Sequence, residues 1–208
     1  MDPFEFLSLV PLVATHTVTV AMGLGLAATC GLRAFMPLLA INLMAMTGYV
    51  ELADSFAFMN HWSATLLFGS ATVFEFAGDK IPAFDHLMDS MGVVIRPTAA
   101  TIAGASMITF VDPLAGLALG LIVGGGSAGT ITVVKGGVRA LSTTFTAGFL
   151  NPFISTVEDG LALAAVILAI LAPVLFVCLG VLFIGLGWAT VGPRRQQAFE
   201  PAPAMAMA

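Results

Sequence analysis

Residues 114–134 read LAGLALGLIVGGGSAGTITVV and contain no charged side chain. At about 1.5 Å per residue, a helix of this length is about 30 Å long, which matches the apolar core of a bilayer. Asp112 and Pro113 precede the stretch, and this pair is typical of a helix start, because aspartate caps free amides and proline suits the first turn. The stretch therefore predicts a transmembrane helix.

The composition of the whole chain also indicates a membrane protein, with the lipid bilayer as its partner. Hydrophobic residues make up 59% of the 208 residues and charged residues only 9%, whereas soluble domains carry roughly 25% charged residues. A soluble fold of this size could not cover its surface with so few charges. The net charge is −5 and no basic patch is present, so nucleic acid is not expected as a partner.

Six further apolar runs are separated by polar or helix-breaking residues. They cover residues 7–30, 34–49, 63–78, 97–111, 140–150 and 160–190. The last run exceeds one crossing, and Pro173 either kinks it or divides it into two helices. Residues 79–96 have apolar residues at three- and four-residue spacing, as in an amphipathic helix at the membrane surface. We expect an all-α transmembrane helical bundle of about six or seven spans, some short or broken, in residues 1–192, and a disordered cytoplasmic tail at 193–208.

Seven crossings place every Lys and Arg on one side of the membrane, if residues 135–139 are a polar break between two spans. These basic residues are Arg33, Lys80, Arg96, Lys135, Arg139, Arg194 and Arg195. The loop at 51–61 and the turns at Asp112 and Asn151 then lie on the other side. The positive-inside rule predicts a cytoplasmic C-terminus and an outside N-terminus, in the inner (plasma) membrane of the cell.

Small residues recur at four-residue spacing within two of the runs. Gly116, Gly120 and Gly124 line one helix face, and Gly23 and Gly31 lie on a similar face of the first run. In lipid, helices approach closely at such faces. The pattern predicts either close packing within one chain or the seam of a homo-oligomer.

Two short similarities within the chain indicate an internal repeat. Residues 31–35 (GLRAF) resemble residues 137–141 (GVRAL), and residues 72–75 (TVFE) resemble residues 156–158 (TVE). Repeats with broken helices are common in transporters, whose sites lie near the interface between repeats. A duplication and a chance similarity of short apolar segments are both compatible with the sequence.

Glu75 lies inside an apolar run, where an ionised carboxylate costs about 3 kcal/mol or more unless it is paired or hydrated. Asp79 follows one helical turn later, and Lys80 is adjacent. One interpretation is a cation or proton site, with Glu75 as a protonatable ligand and Asp79 as its partner. The alternative is an ion pair between Glu75 and Lys80, Arg33 or Arg139.

Four other charged residues have more than one interpretation. Arg33 and Arg139 occupy corresponding positions of the proposed repeat, where they either bind an anionic headgroup, balance the buried carboxylate, or anchor the topology by extending to the surface. Ser155 and Glu158 have capping-box spacing. Helix capping and the helix dipole therefore explain Glu158 and Asp159, and a role as ion ligands is the alternative.

The sequence contains no motif of a soluble-type active site, so an enzyme, a cofactor and a metal are not expected. It has no HExxH or CxxC motif and no Ser-His-Asp arrangement. Asp85, His86 and Asp89 could hold a metal, but a solvated helix edge explains them more simply. A membrane haem needs two histidines at matched depth, and His61 lies in a loop, so His16 and His61 do not fit.

Several motifs occur in a fixed order along the chain. They are residues 31–39 (GLRAFMPLL), residues 75–82 (EFAGDKIP) with Asp85, Arg96-Pro97, and Asn151-Pro152 with Ser155, Glu158 and Asp159. Together they resemble the bacterial DUF4126 family, a domain of unknown function. The resemblance implies a small polytopic membrane protein and brings no activity, substrate or cofactor. It also implies that Arg33, Glu75, Asp79, Lys80 and Glu158 belong to the family pattern.

Residues 75–80 are also similar to the Glu-x-Gly-Asp-Lys/Arg-Ser/Thr signature of a family of cation/proton exchangers. One extra residue precedes the glycine, Ile81 replaces the Ser/Thr, and one copy is present where that family has two. The similarity is therefore an analogy of chemistry, since acidic side chains on broken helices suit hard cations and protons.

These patterns favour a small transporter or channel-like protein for a cation, a proton or a small solute. The candidate ion-binding residues are Glu75, Asp79, Glu158 and Asp159, and the candidate charge-balancing or headgroup-binding residues are Arg33, Lys80 and Arg139. One alternative is a structural or assembly subunit of a larger membrane complex. The other is a lipid-handling protein.

Overall fold

A computed structural model describes residues 3–146 and 149–197, and the regular structure of these residues is entirely helical. The helices are α1 (Pro3–Thr29), α2 (Phe35–Met46), α3 (Trp62–Gly78), α4 (Pro82–Ser106), α5 (Pro113–Leu119), α6 (Gly126–Thr146), α7 (Asn151–Leu171) and α8 (Pro173–Gln197). A 3-10 helix, Asp54–Met59, lies between α2 and α3. A π-helical segment, Gly120–Gly125, connects α5 to α6 without a break.

The helices form two groups. In the first, called the bundle, α1 packs against α4, α7, α8 and the π-helical segment. In the second, called the hairpin, α2 packs mainly against α3. The hairpin contacts the bundle through α4 and at the turn that joins α1 to α2. The buried side chain of Asn42 stabilises the hairpin, because it donates to the Met59 carbonyl at 2.5 Å and accepts from the Thr65 hydroxyl at 2.7 Å.

Glycines of the π-helical segment lie against the backbone of α4. A Cβ on Gly120 would lie 2.6 Å from the carbonyl oxygen of Thr101, and one on Gly124 would lie 2.6 Å from that of Ala100. A larger side chain at either position would push the two helices apart. The predicted small-residue face on this stretch therefore packs within the chain, which is the first of the two expected arrangements.

Helix α4 is continuous, so the prediction of a separate surface helix at 79–96 and a new run from Pro97 is wrong. Pro97 lies inside α4 and removes one backbone donor. The Thr101 hydroxyl donates to the Pro97 carbonyl at 2.8 Å. The backbone around Pro97 also packs against the π-helical segment. Packing of residues 97–101 against the π-helical segment thus outweighs the local effect of the proline.

The predicted polar break at 135–139 is also wrong, because Lys135 and Arg139 lie inside α6. Both side chains are buried and paired with acids, so they require no aqueous loop. As a result, Pro113–Thr146 is one helix of 34 residues, and residues 140–150 are not a separate span. The Asn151 turn lies at the same end of the bundle as Arg139, not at the opposite end.

The last apolar run consists of two helices, as one of the two alternatives for Pro173 predicted. Helix α7 ends at Leu171, Ala172 has a non-helical backbone (φ −140°, ψ 61°), and α8 begins at Pro173. The predicted tail begins at residue 193, whereas α8 continues to Gln197. Residues 198–208 lie outside the described residues.

Two helices among the described residues are long and apolar enough to cross a membrane, Pro113–Thr146 and Asn151–Leu171. Large apolar side chains also cover the outer surface. Phe145, Phe149 and Phe183 are each at least 80% exposed. Apolar surface of this extent marks a region that contacts lipid or another protein. The number of crossings stays a prediction.

Candidate functional site

Charged side chains from the α1–α2 turn, the end of α3, the α3–α4 turn, α4, α6 and α7 meet at one end of the bundle. This charge cluster consists of Arg33, Glu75, Asp79, Lys80, Asp89, Arg96, Lys135, Arg139, Glu158 and Asp159. Among the described side chains, five members are basic and five are acidic, so the formal charge of these ten is zero. All except Lys80, Asp89 and Asp159 are buried.

Asp79 connects the hairpin to two bundle helices. Its Oδ2 accepts from Arg33 Nη1 at 2.5 Å and from Arg139 Nη2 at 3.1 Å, and its side chain is completely buried. Burial alone would raise the pKa of the Asp79 carboxyl, but Arg33, Lys135 and Arg139 hold that pKa below its usual value. Asp79 is therefore an ionised link between the α3–α4 turn, the end of α1, and α6.

Arg33 lies in the turn after α1 and is 1% exposed. Besides Asp79, it forms an ion pair with Asp159 of α7, and its Nη2 donates to Ser155 Oγ at 3.3 Å. Its guanidinium also stacks on the ring of Phe76, 5.2 Å from the ring centroid. The interpretation of Arg33 and Arg139 as anchors that extend to the surface is therefore wrong, because both are buried.

Arg139 binds acids from three elements. In addition to Asp79, Nη1 donates to Asp89 Oδ2 at 3.0 Å and Nη2 donates to Glu158 Oε2 at 2.9 Å. The same Glu158 oxygen accepts from Lys135 Nζ at 3.0 Å, and Asp89 Oδ1 accepts from Arg96 Nη2 at 3.3 Å. Two acids thus share three cations, which joins α4, α6 and α7.

The predicted capping box at the start of α7 is absent. Helix α7 begins at Asn151, so Glu158 lies two turns inside it, where its carboxylate binds cations. Ser155 Oγ accepts from Lys80 Nζ at 3.1 Å, and Lys80 also binds Asp159 at 2.7 Å. The acids of α7 are ion-pair partners because they lie on the side of the helix that packs towards α1 and α6.

Glu75 occupies a different environment from the other acids. Its Oε1 accepts from the backbone N–H of Ala34 at 2.9 Å, and its Oε2 accepts from that of Phe35 at 3.3 Å. These are the first amides of α2, so Glu75 caps a helix of which it is not a part. Among the described residues, no Lys or Arg forms an ion pair with Glu75. The predicted pairing with Lys80, Arg33 or Arg139 is therefore replaced by a bond to backbone.

The structure brings together some, but not all, of the four acids that are predicted to bind an ion. Asp79 and Glu158 share Arg139, whereas Glu75 lies at the start of α2. The two arginines of the proposed repeat also differ locally, since Arg33 lies in a turn and Arg139 lies inside a helix. The structure thus gives the proposed duplication no local support.

The side chains of Asp85 and His86 are not described, so the metal interpretation of that group is untested. The described residues contain no group of three His, Cys, Asp or Glu side chains that could hold a metal ion.

Three members of the charge cluster were not predicted as site residues: Asp89, Arg96 and Lys135. A signal for them is present in the sequence. Lys135 and Arg139 are four residues apart in a helix, and Asp89 and Arg96 are seven apart, so each pair lies on one helix face. The interpretation of residues 135–139 as a polar loop and of residues 79–96 as a surface helix separates these three residues from the predicted site.

The family model described as "Domain of unknown function (DUF4126)" matches residues 20–192. The chain belongs to the DUF4126 family. The match covers most of the chain and includes every residue of the charge cluster, which confirms the resemblance found in the sequence motifs. No curated protein and no solved structure matches the chain. Since the description of the DUF4126 family assigns no activity, function has to be argued from the site itself.

Proposed function

We propose that this chain is a multi-pass membrane protein that moves a proton or a small cation, and that the charge cluster is a gate at one end of its path. Two long apolar helices and the exposed apolar side chains support a location in the bilayer. Ionisable residues at membrane depth are expensive and are functional by default. The charge cluster, of which Lys135, Arg139 and Glu158 lie inside the two long apolar helices, is therefore the strongest candidate for the functional site.

The observation that carries this proposal is the position of Asp79 between the hairpin and the bundle. Its two ion pairs, to Arg33 and Arg139, join the end of α3 to α1 and α6. Helices α2 and α3 each contact α4 less extensively than they contact each other. A rigid-body movement of the hairpin would separate these charges and open this end of the molecule.

Glu75 provides a way to couple proton binding to that movement. An ionised carboxylate binds the first amides of α2 more strongly than a neutral acid does, because its charge strengthens both hydrogen bonds and interacts favourably with the helix dipole. Protonation of Glu75 would therefore weaken its bond to the Ala34 amide, which adjoins Arg33, the residue whose ion pair with Asp79 holds the hairpin to the bundle. In the open state, Asp79 would lose Arg33 and Arg139, and Asp159 would lose Lys80, so these two carboxylates would become available to a transported ion.

The same cluster supports a proposal for the orientation in the membrane. Five basic residues lie at one end, and the positive-inside rule assigns that end to the cytoplasm. The loop that joins α2 to α3 and the turn before α5 contain no Lys or Arg. We infer that the protein lies in the plasma membrane with its C-terminus on the cytoplasmic side.

A flux assay in liposomes tests the transport proposal. Wild type, Glu75→Gln and the control Glu51→Gln would be reconstituted and exposed to proton gradients and to a panel of monovalent and divalent cations. Glu51 is an exposed acid of the α2–α3 loop, so its variant makes the same chemical change outside the cluster. We expect flux above protein-free liposomes for wild type and Glu51→Gln, and loss of most of that flux for Glu75→Gln.

Equal flux above that of protein-free liposomes in wild type and Glu75→Gln would contradict the role proposed for Glu75. Wild-type flux equal to that of protein-free liposomes under every gradient would contradict transport itself, and a structural or assembly subunit would become the better proposal. The zero formal charge of the cluster and the capping of α2 by Glu75 favour this second candidate, because both hold helices together. Gentle purification would then recover stoichiometric partner proteins.

A further inference from the structure

A cavity of about 20 Å³ lies between the start of α2, the end of α3 and the middle of α4. Its charged wall residues are Glu75 and Arg96, which are 6% and 3% exposed. Met88 and Ile95 supply apolar walls. One water molecule requires a cavity of roughly 10–15 Å³. The cavity is therefore large enough for one water and too small for a chain of several.

Arg96 brings a hydrogen-bond donor to this cavity. Its Nη2 donates to Asp89, but its buried Nε has no acceptor among the described residues. Gly92 also lines the cavity, and a Cβ there would lie 2.7 Å from Arg96 Cζ and 3.0 Å from Nε. The missing side chain at Gly92 thus lets the guanidinium lie against the backbone of α4. A buried N–H without a partner is uncommon in native structures and usually binds water.

Glu75 brings hydrogen-bond acceptors to the same cavity. Each of its carboxylate oxygens accepts one backbone N–H, whereas a carboxylate has about four acceptor positions. Two positions are therefore left for another donor. The cavity thus has a donor on one wall and acceptors on the other.

The charges of the walls select the kind of molecule that fits. A cation would lie against the Arg96 guanidinium, and an anion would lie against the Glu75 carboxylate. Hard cations also require about six or more oxygen ligands, which one carboxylate cannot supply. A neutral molecule that both donates and accepts satisfies both walls.

We infer that one water molecule occupies this cavity, accepts a hydrogen bond from Arg96 Nε and donates one to the Glu75 carboxylate. The water joins Glu75, the cap of α2, to the ion pairs of Arg96, Asp89 and Arg139. A substitution at any of these residues would therefore alter the hydrogen bonding at the start of α2. This inference concerns the same region as the proposed function but stands on the cavity alone.

An experimental structure that resolves ordered water, determined with rubidium and bromide in the solution, tests the inference. We expect a density peak within about 3.2 Å of both Arg96 Nε and a Glu75 oxygen, without anomalous signal from either ion. An anomalous peak in the cavity, an empty cavity, or Arg96 Nε bonded directly to Glu75 would each overturn it. A water peak in a protein that shows no flux would leave this inference standing while the proposed function fails.

Two glycine variants provide a matched comparison. Gly92→Ala places a methyl group against the guanidinium beside the cavity, and we expect Arg96 to shift and the water peak to be lost. In Gly69→Ala, a helical glycine of α3 whose added Cβ meets nothing within 4 Å, the peak should persist. Retention of the water and of the Arg96 position in Gly92→Ala would contradict the inference. If Gly92→Ala does not fold, the wild-type structure still decides the question.

Discussion

Asp79→Asn is expected to lower the free energy of unfolding by about 3–5 kcal/mol, the usual cost of removing one partner from a buried ion pair. The variant leaves the buried guanidinium groups of Arg33 and Arg139 without their shared carboxylate charge. It also gives the neutral charge cluster a surplus positive charge. Thermal and denaturant unfolding of the purified protein in one detergent, with wild type as reference, would measure the change.

Two controls separate this effect from a general effect of mutation. Lys80→Ala removes a side chain that is 39% exposed, so a loss of at most about 1 kcal/mol is expected. The double variant Asp79→Asn with Arg139→Gln restores charge balance and should be less destabilised than the sum of the two single variants. Equal stability of Asp79→Asn and Lys80→Ala would show that the cluster is not a buried ion network.

Glu75→Ala is expected to destabilise the protein by about 3 kcal/mol and to loosen the start of α2. The change removes the acceptor of the Ala34 and Phe35 amides, and an unpaired buried donor costs about 1–3 kcal/mol. The local prediction is more specific than the global one. Hydrogen exchange at the amides of Ala34 and Phe35 should accelerate strongly, while exchange within α7 should change little.

Glu75→Gln is the matched variant, because glutamine keeps an acceptor oxygen but has no charge. It should retain part of the exchange protection at the start of α2 and lose less stability than Glu75→Ala. If both variants leave the exchange of these two amides unchanged, Glu75 does not cap α2. The interpretation of proton coupling would then lose its structural basis.

Composition and apolar length predict the helical elements well. The end of α1, the start of α2, the extent of α3, the Asp112 cap of α5, and the possible division at Pro173 all follow from local residues. In each case the signal is a cap, a proline or an uninterrupted apolar run, which acts within a few residues. Such signals are largely independent of the rest of the fold.

The wrong predictions concern residues whose interaction partners lie far away in the sequence. Lys135 and Arg139 indicate a loop only if their charges must reach water, but Glu158 and Asp79 neutralise them inside the protein. Pro97 indicates a helix start only if α4 has no packing partner that keeps it continuous. Residue spacing along the chain identifies neither the acids that pair with Lys135 and Arg139 nor the π-helical segment that packs against α4.

The sequence predicts which residues form the candidate site but not which of them bind each other. All seven predicted residues lie in the charge cluster, since charge within an apolar chain is rare enough to identify them. The pairing was not predictable, because Glu75 binds amides 41 and 40 residues away and Arg33 binds Asp159 at a separation of 126 residues. Only the packing of α3 and α7 beside the α1–α2 turn creates those contacts.

The central claim is that the ion pairs of Asp79 hold the hairpin against the bundle and that this end opens when they break. Spin labels at Ile81 and Val157, which are both about half exposed, would report the separation of the α3–α4 turn from α7. The exposed Cys178 would be replaced by serine, and the buried Cys30 kept. Electron–electron distance measurements on Asp79→Asn, against the control Glu51→Gln, should show a second, longer distance only in Asp79→Asn. A single unchanged distance in both proteins would contradict the gate and leave the cluster as a fixed structural element.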